Sequence, residues 1–197
     1  MARVMVGIPS GEGLVRSQVV DALMSMYRDD HEIVMGSKAF YSVDIARNSM
    51  AKRALEHDCD YLFMVDSDTI VPTWALMSLV ERGVDVCLGY YPRSDNQSLS
   101  SVVALGDDYS KCMPMDEIRA MKDGGMGITQ VRAGGMGCAL INTRVFRALS
   151  KPWFKYVDHG DTQLGEDYYF CQQCAGSRIG VYLDLDVRCR HLILEEW

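Results

Sequence analysis

A chain of 197 residues with 48% hydrophobic and 24% charged residues is long enough to bury a core and too apolar to remain disordered. A formal charge of -7 and a pI near 5.0 exclude partners held by bulk charge, such as a nucleic-acid backbone or an anionic membrane surface. The run from Val4 to Ile8 is too short for a signal peptide, no stretch reaches transmembrane length, and seven cysteines scattered through apolar segments fit reduced thiols, so a cytoplasmic protein is expected.

Val4 to Ile8 predicts a first strand, stopped by Pro9-Ser10-Gly11-Glu12-Gly13. That stretch can turn tightly and present backbone amides to a nucleotide, which makes Pro9 and Ser10 candidate donor contacts; a simple βα turn is the alternative. Apolar residues at helical spacing predict a helix from Leu14 to Tyr27, followed by a strand from Glu32 to Met35. Asp44 to His57 is a second helix, with Ala46, Met50, Ala54 and Leu55 as its buried stripe. Its first turn carries Ala46-Arg47-Asn48, and the Arg47 guanidinium can reach a phosphate or a neighbouring carboxylate, or make a surface ion pair.

The chain is organised around Asp60 to Pro72. Tyr61 to Val65 are apolar on both alternating faces, as in a strand buried within a parallel sheet, and Asp66-Ser67-Asp68 closes it. By strand alternation both carboxylates leave the same side of the backbone, in the crevice beyond the carboxyl ends of the strands where open α/β sheets bind ligands. A divalent cation with a diphosphate would relieve their repulsion. Pro72 and Gly83 bracket a third helix, and Asp85 to Tyr91 is a strand ended by Pro92-Arg93. Strand and helix have alternated throughout, which predicts a single α/β domain with a Rossmann-like, mostly parallel sheet flanked by helices.

Residues 94–133 break that regularity with a short strand near Ser101 to Leu105, a helix from Pro114 to Lys122 and a strand from Ile128 to Arg132. They are read as a small elaboration on the acceptor side, dividing the domain into a nucleotide-binding half, 1–93, and an acceptor-side half, 94–197. Gly134-Gly135-Met136-Gly137 lets a backbone approach a ligand, or simply turns tightly into Cys138-Ala139-Leu140-Ile141, and a helix runs from Thr143 to Leu149. Between Lys151 and Leu164 lies a polar loop with Trp153, Phe154, Tyr156 and His159, whose rings stack on sugars or anchor the loop. Gly165-Glu166-Asp167 opens a helix, Tyr168 to Ala175, and Ile179 to Leu185 is a last strand before His191.

Taken together and in order, Ala46-Arg47-Asn48, Asp66-Ser67-Asp68, Gly134-Gly135, Gly165-Glu166-Asp167 and His191 resemble the motifs of GT-A fold glycosyltransferases, in particular the large family 2 group of nucleotide-diphospho-sugar transferases. The resemblance spans Val4 to His191. It implies a UDP- or GDP-sugar donor, a Mn2+ or Mg2+ cofactor, and a glycan, lipid-linked, protein or small-molecule acceptor. It places Asp68 and His191 on the metal, Asp66 on the ribose or the metal, Ser67 and Arg47 on the donor side, Asp167 as general base and Glu166 in support. Inversion at the anomeric carbon is expected from the likeness alone. The family usually reads the base with an acidic turn after the second strand, and here that region is Gly36-Ser37-Lys38-Ala39-Phe40. A partner subunit, an oligomer or a large acceptor is expected to complete so short a chain.

Two other functions remain as alternatives. A sugar-phosphate nucleotidyltransferase would carry a glycine- and arginine-rich first loop, which Pro9 to Gly13 is not. A non-catalytic nucleotide- or carbohydrate-binding module would have no need of Asp66, Asp68, Asp167 and His191 together. Cys171, Cys174, Cys189 and His191 offer four zinc donors on paper, but the first two lie in an apolar helix rather than on a tight turn.

Overall fold

The computed structural model describes residues 1–10, 13–39, 42–92, 100–104, 112–158, 160 and 163–192. The first half of the chain forms β1 (Arg3–Ser10), α1 (Ser17–Met24), β2 (Glu32–Ala39), α2 (Val43–Glu56), β3 (Tyr61–Val65), β4 (Thr69–Ile70), α3 (Ala75–Glu81) and β5 (Val86–Tyr90). The second forms β6 (Ser100–Ala104), β7 (Cys112–Pro114), α4 (Met115–Asp123), β8 (Ile128–Val131), β9 (Ala133–Gly134), β10 (Cys138–Asn142), α5 (Thr143–Ala148), β11 (Val157–Asp158), β12 (Gln163–Leu164), α6 (Glu166–Gly176), β13 (Val181–Arg188) and β14 (Arg190–His191).

Alternation along β3 divides the core. Leu62 and Met64 enter one hydrophobic cluster with Met50 and Ala54 of α2, Phe146 of α5 and Phe170 of α6; Phe63 and Val65 enter the other with Val19 and Leu23 of α1 and Leu76 and Leu79 of α3. A strand buried on both faces needs helices on both, and each fully buried apolar side chain contributes about 1.5–3 kcal/mol. The central sheet has seven strands in the order β2-β1-β3-β10-β5-β13-β8. β2, β1, β3, β5 and β13 run one way, and β10 and β8 run against them, so the sheet is mostly parallel and the fold is α/β.

The expectation that β3 has parallel neighbours on both sides holds only toward β1. Its other neighbour is the antiparallel β10, with Cys138 opposite Val65. That insertion matters for function, because an antiparallel strand begins where its parallel neighbours end and so delivers Gly137 to the carboxyl ends of β3 and β5. Strands from residues 1–93 and 94–197 therefore interleave in one sheet.

Three boundaries differ from the periodicity. β2 continues to Ala39 because β1 pairs with it through Ser10. α1 begins at Ser17, since Leu14 is 71% exposed and its carbonyl accepts the Ser10 hydroxyl at 3.0 Å. α3 begins at Ala75 with Trp74 half exposed at its cap, and Pro72 sits in the turn before it; Gly83, at φ +65°, does lie just past the helix end. No helix among the described residues is long and apolar enough to cross a membrane. All seven cysteines are free thiols. The zinc set does not assemble, because Cys171 and Cys174 are buried in one hydrophobic cluster and Cys189 in the other.

Candidate functional site

Alternation places Asp66 on the α2 side of the sheet, following Leu62 and Met64. There Arg47, a residue only 3% exposed, donates from Nη2 to both Asp66 carboxylate oxygens at 2.9 and 3.2 Å. Its Nε donates to Glu166 Oε1 at 3.0 Å and its Nη1 to the Met136 carbonyl at 3.4 Å. Glu166 itself is 6% exposed and lies 119 positions from Arg47, so one guanidinium ties the two halves of the chain together in a nearly dry pocket. Burial works against the Arg47 charge, but Asp66, Glu166 and Asp167 outweigh it and keep it protonated. Burial also raises the Asp66 carboxyl; Arg47 pulls it down, and Asp68 and Glu166 push it back up. The fork is taken up by two carboxylates, the Met136 carbonyl and, from Nη1 at 3.7 Å, the Met64 sulfur.

The next residue explains the rest of the Ala46-Arg47-Asn48 turn. Asn48 Nδ2 donates to the Asp44 and Phe154 carbonyls at 2.8 and 2.7 Å, and its Oδ1 accepts from the Trp153 and Phe154 amides at 2.9 and 3.2 Å. Trp153 and Phe154 are buried, Phe154 stacks on Phe170 at 4.8 Å, and Trp153 Nε1 bonds the Phe146 carbonyl at 2.9 Å. These two rings anchor their loop rather than face a ligand, whereas Tyr156 stays 37% exposed. His159 lies outside the described residues. Asn48→Ala is expected to cost about 2 kcal/mol by stranding amides of that loop, and to speed limited proteolysis between residues 151 and 164.

Past Val65 the strand ends. The Thr69 amide bonds the Asp66 carbonyl at 3.1 Å, and this turn breaks the alternation that was expected to aim Asp66 and Asp68 at one cation. Asp68 instead faces His191, with Oδ2 and Nε2 3.4 Å apart. β14 delivers that histidine: it pairs antiparallel with β4, His191 opposite Thr69, and the Leu192 amide bonds the Asp68 carbonyl at 2.8 Å. Burial works against the Asp68 charge, yet the bond and charge of His191, with help from Arg16, hold its carboxyl below the usual value. The same bond raises His191 against burial. Among the described residues no three His, Cys, Asp or Glu side chains converge as a metal cluster; Asp68 faces His191, and Asp66 is held by Arg47. Asp68, whose side chain is 41% exposed, and His191 are the residues here that could hold a divalent ion.

Tyr91, just past β5, is 5% exposed and lies between Gly137 and His191. Its hydroxyl accepts the Gly137 amide at 3.0 Å, and its ring lies 5.4 Å from that of His191. A Cβ on Gly137 would meet the Tyr91 hydroxyl at 2.5 Å and Asp66 Oδ2 at 2.8 Å, so only glycine fits there. Tyr91 was hidden in an apolar strand; its signal was position, at the same sheet end as Asp66. Pro9 and Ser10 are buried at the end of β1, and the Ser10 hydroxyl is taken up by Leu14. Gly11 and Glu12 lie outside the described residues. Ser67 turns its carbonyl to the Arg16 amide at 3.1 Å.

α6 opens with Glu166, two residues earlier than the expected Tyr168, and this puts Asp167 in its first turn. Asp167 is half buried, and its Oδ1 accepts the Tyr168 amide at 2.7 Å. Burial and the neighbouring Glu166, against the pull of Arg47, push its carboxyl up to about 7. Burial and Glu166, through its charge and a hydrogen bond, likewise raise the Tyr156 phenol. Of the other acids near this helix, Asp158 is exposed and bonded to Gln163 at 2.8 Å, and Asp161 lies outside the described residues.

No protein-family profile matches the chain, and no curated protein matches it in sequence. Solved structures do. A197 from STIV superposes with a TM-score of 0.68 at 22% identity, covering 98% of this chain and 86% of that one. GalNAc-T7 with UDP, GalNAc and Mn2+ gives 0.61 at 12% identity over 99% of this chain, and S. aureus TarS 1-349 in complex with UDP-GlcNAc gives 0.54 at 10% over 99%. The chain spans 44% of the GalNAc-T7 chain and 60% of the TarS chain. At these identities the likeness is one of fold, and the fold is of the GT-A type.

Proposed function

We propose that this chain is a metal-dependent glycosyltransferase of the family 2 kind, moving a sugar from a UDP- or GDP-sugar to an acceptor hydroxyl with inversion. The observation that carries the reading is the juxtaposition, at one end of a GT-A-type sheet, of the facing Asp68 and His191 with an acid, Asp167, whose carboxyl burial and Glu166 push up to about 7. The neighbours' ligands support it, since UDP-GlcNAc is bound by TarS, and UDP, GalNAc and Mn2+ by GalNAc-T7. The cytoplasm, where nucleotide sugars and free thiols coexist, is the compartment this reading assigns.

In this mechanism Asp68 and His191 would hold the divalent ion, which would supply charge neutralisation for the departing nucleoside diphosphate. Arg47 neutralises Asp66 and Glu166, so the pocket around the anomeric carbon does not carry four bare carboxylates. Asp167 accepts the acceptor's proton as its oxygen attacks the anomeric carbon and the bond to the diphosphate breaks. Tyr156, half exposed beside Glu166 and Asp167, forms part of the acceptor's wall. Glu166 cannot take the proton's place, because its charge is committed to Arg47.

Calorimetric titration of UDP and GDP, each with and without Mn2+, tests this. Metal-dependent binding is expected for at least one of them, and Asp68→Ala is expected to abolish it without unfolding the protein, because it removes a charged donor rather than core bulk. His191→Ala should weaken binding less. Unchanged affinity in Asp68→Ala would remove the metal assignment, and no affinity for either nucleotide in the parent would remove the transferase.

A further inference from the structure

The crevice has a charge problem. Asp66, Asp68, Glu166 and Asp167 line it, and Arg47 and His191 are already committed to three of them. A nucleoside diphosphate brings further negative charge to a chain that already carries -7. One divalent ion on Asp68 and His191 does not offset all of that, and Arg47 has no donor left to give. The site needs a second cation.

We propose that Arg16 is that cation and that it binds the donor's diphosphate, an inference that rests on the transferase reading above. The Arg16 amide is fixed to the Ser67 carbonyl at 3.1 Å, so the residue hangs directly over the turn between Asp66 and Asp68. Its side chain is exposed and has no carboxylate partner among the described residues. α1, which starts at the next residue, carries no acid in its first turn to compete for it. A phosphate oxygen that ligates an ion on Asp68 must lie beside Asp68, and a planar guanidinium is the side chain that grips a diphosphate with two parallel hydrogen bonds.

The test is a ladder of ligands. Uridine, UMP, UDP and inorganic pyrophosphate, each with Mn2+, are titrated calorimetrically into the parent and into Arg16→Gln at one fixed ionic strength. The variant should unfold like the parent, bind uridine equally, and lose about 10- to 100-fold in affinity for UDP and pyrophosphate, the worth of hydrogen bonds to a charged group. Arg16→Lys should recover part of that loss. Arg28→Gln, beyond the far end of α1, should change nothing. If Arg16→Gln gains as much as the parent on going from UMP to UDP, Arg16 is not the diphosphate ligand, while the transferase reading survives. If the parent itself binds neither UDP nor GDP with metal, both ideas fall together.

Discussion

Arg47→Met is expected to destabilise the protein by about 3–5 kcal/mol, the cost of leaving buried charges without their partner. For a chain of this length that is a fall in Tm on the order of 10 °C. The loss does not come from packing, since methionine fills much of the same channel beside Met64 and Met136. It comes from Asp66 and Glu166, which keep their places at the edge of the core and lose the guanidinium that holds both. Without Arg47 nothing opposes the burial that already raises Asp66. A carboxyl whose folded pKa is raised contributes stability below its unfolded pKa and loses it as pH rises through the folded one. The deficit of Arg47→Met should therefore be small near pH 4 and grow toward neutrality. Adding Asp66→Asn and Glu166→Gln to the same variant should recover most of the loss, because an uncharged pocket has nothing left to compensate. Unfolding in urea as a function of pH measures all three. A single variant as stable as the parent at pH 7 would show that water reaches these acids and that the hub is not dry.

Tyr61–Val65 and its two acids could be read from the sequence because an apolar run on both faces followed by carboxylates has few other uses. Ala46, Met50 and Ala54 marked the inner face of α2 for the same reason, and all three are fully buried. What the sequence could not show was direction and pairing. Nothing in Cys138–Asn142 says that it runs antiparallel between β3 and β5, because strand periodicity is the same either way. β4 and β14 have two residues each, too few for any pattern, yet they bring His191 to Asp68. The expectation that Asp66 and Asp68 share a cation assumed that the strand continued through them, and the turn at Thr69 sends them to Arg47 and His191 instead. Asn48 and Arg16 were silent because their anchoring partners are backbone atoms, which every residue possesses.

Asp167→Asn is expected to leave UDP or GDP affinity nearly unchanged and to lower turnover by about 10²–10⁴, the usual worth of a general base. The parent's rate should rise with pH and level off near the Asp167 value of about 7, and the residual rate of the variant should lose that dependence. Stability should move the other way. Folding raises the Asp167 carboxyl above its unfolded value, so its favourable contribution is complete in acid and is lost as pH climbs through about 7. The asparagine variant never ionises there, and it should match the parent near pH 4 and exceed it at pH 8. A mere helix cap gives a different pattern, because losing a cap lowers stability and leaves chemistry alone. Glu166→Gln provides the contrast, since it removes a partner of Arg47 and should cost stability, and by removing a charge that raises Asp167 it should move the pH profile toward acid while leaving turnover at high pH in place. A variant at Asp167 that is slower and, in alkali, more stable than its parent would mark a residue held in an unfavourable state for the sake of the reaction. Equal losses in donor binding and turnover would instead put Asp167 against the donor, and a retaining reaction, which needs no such base, would then describe the site better.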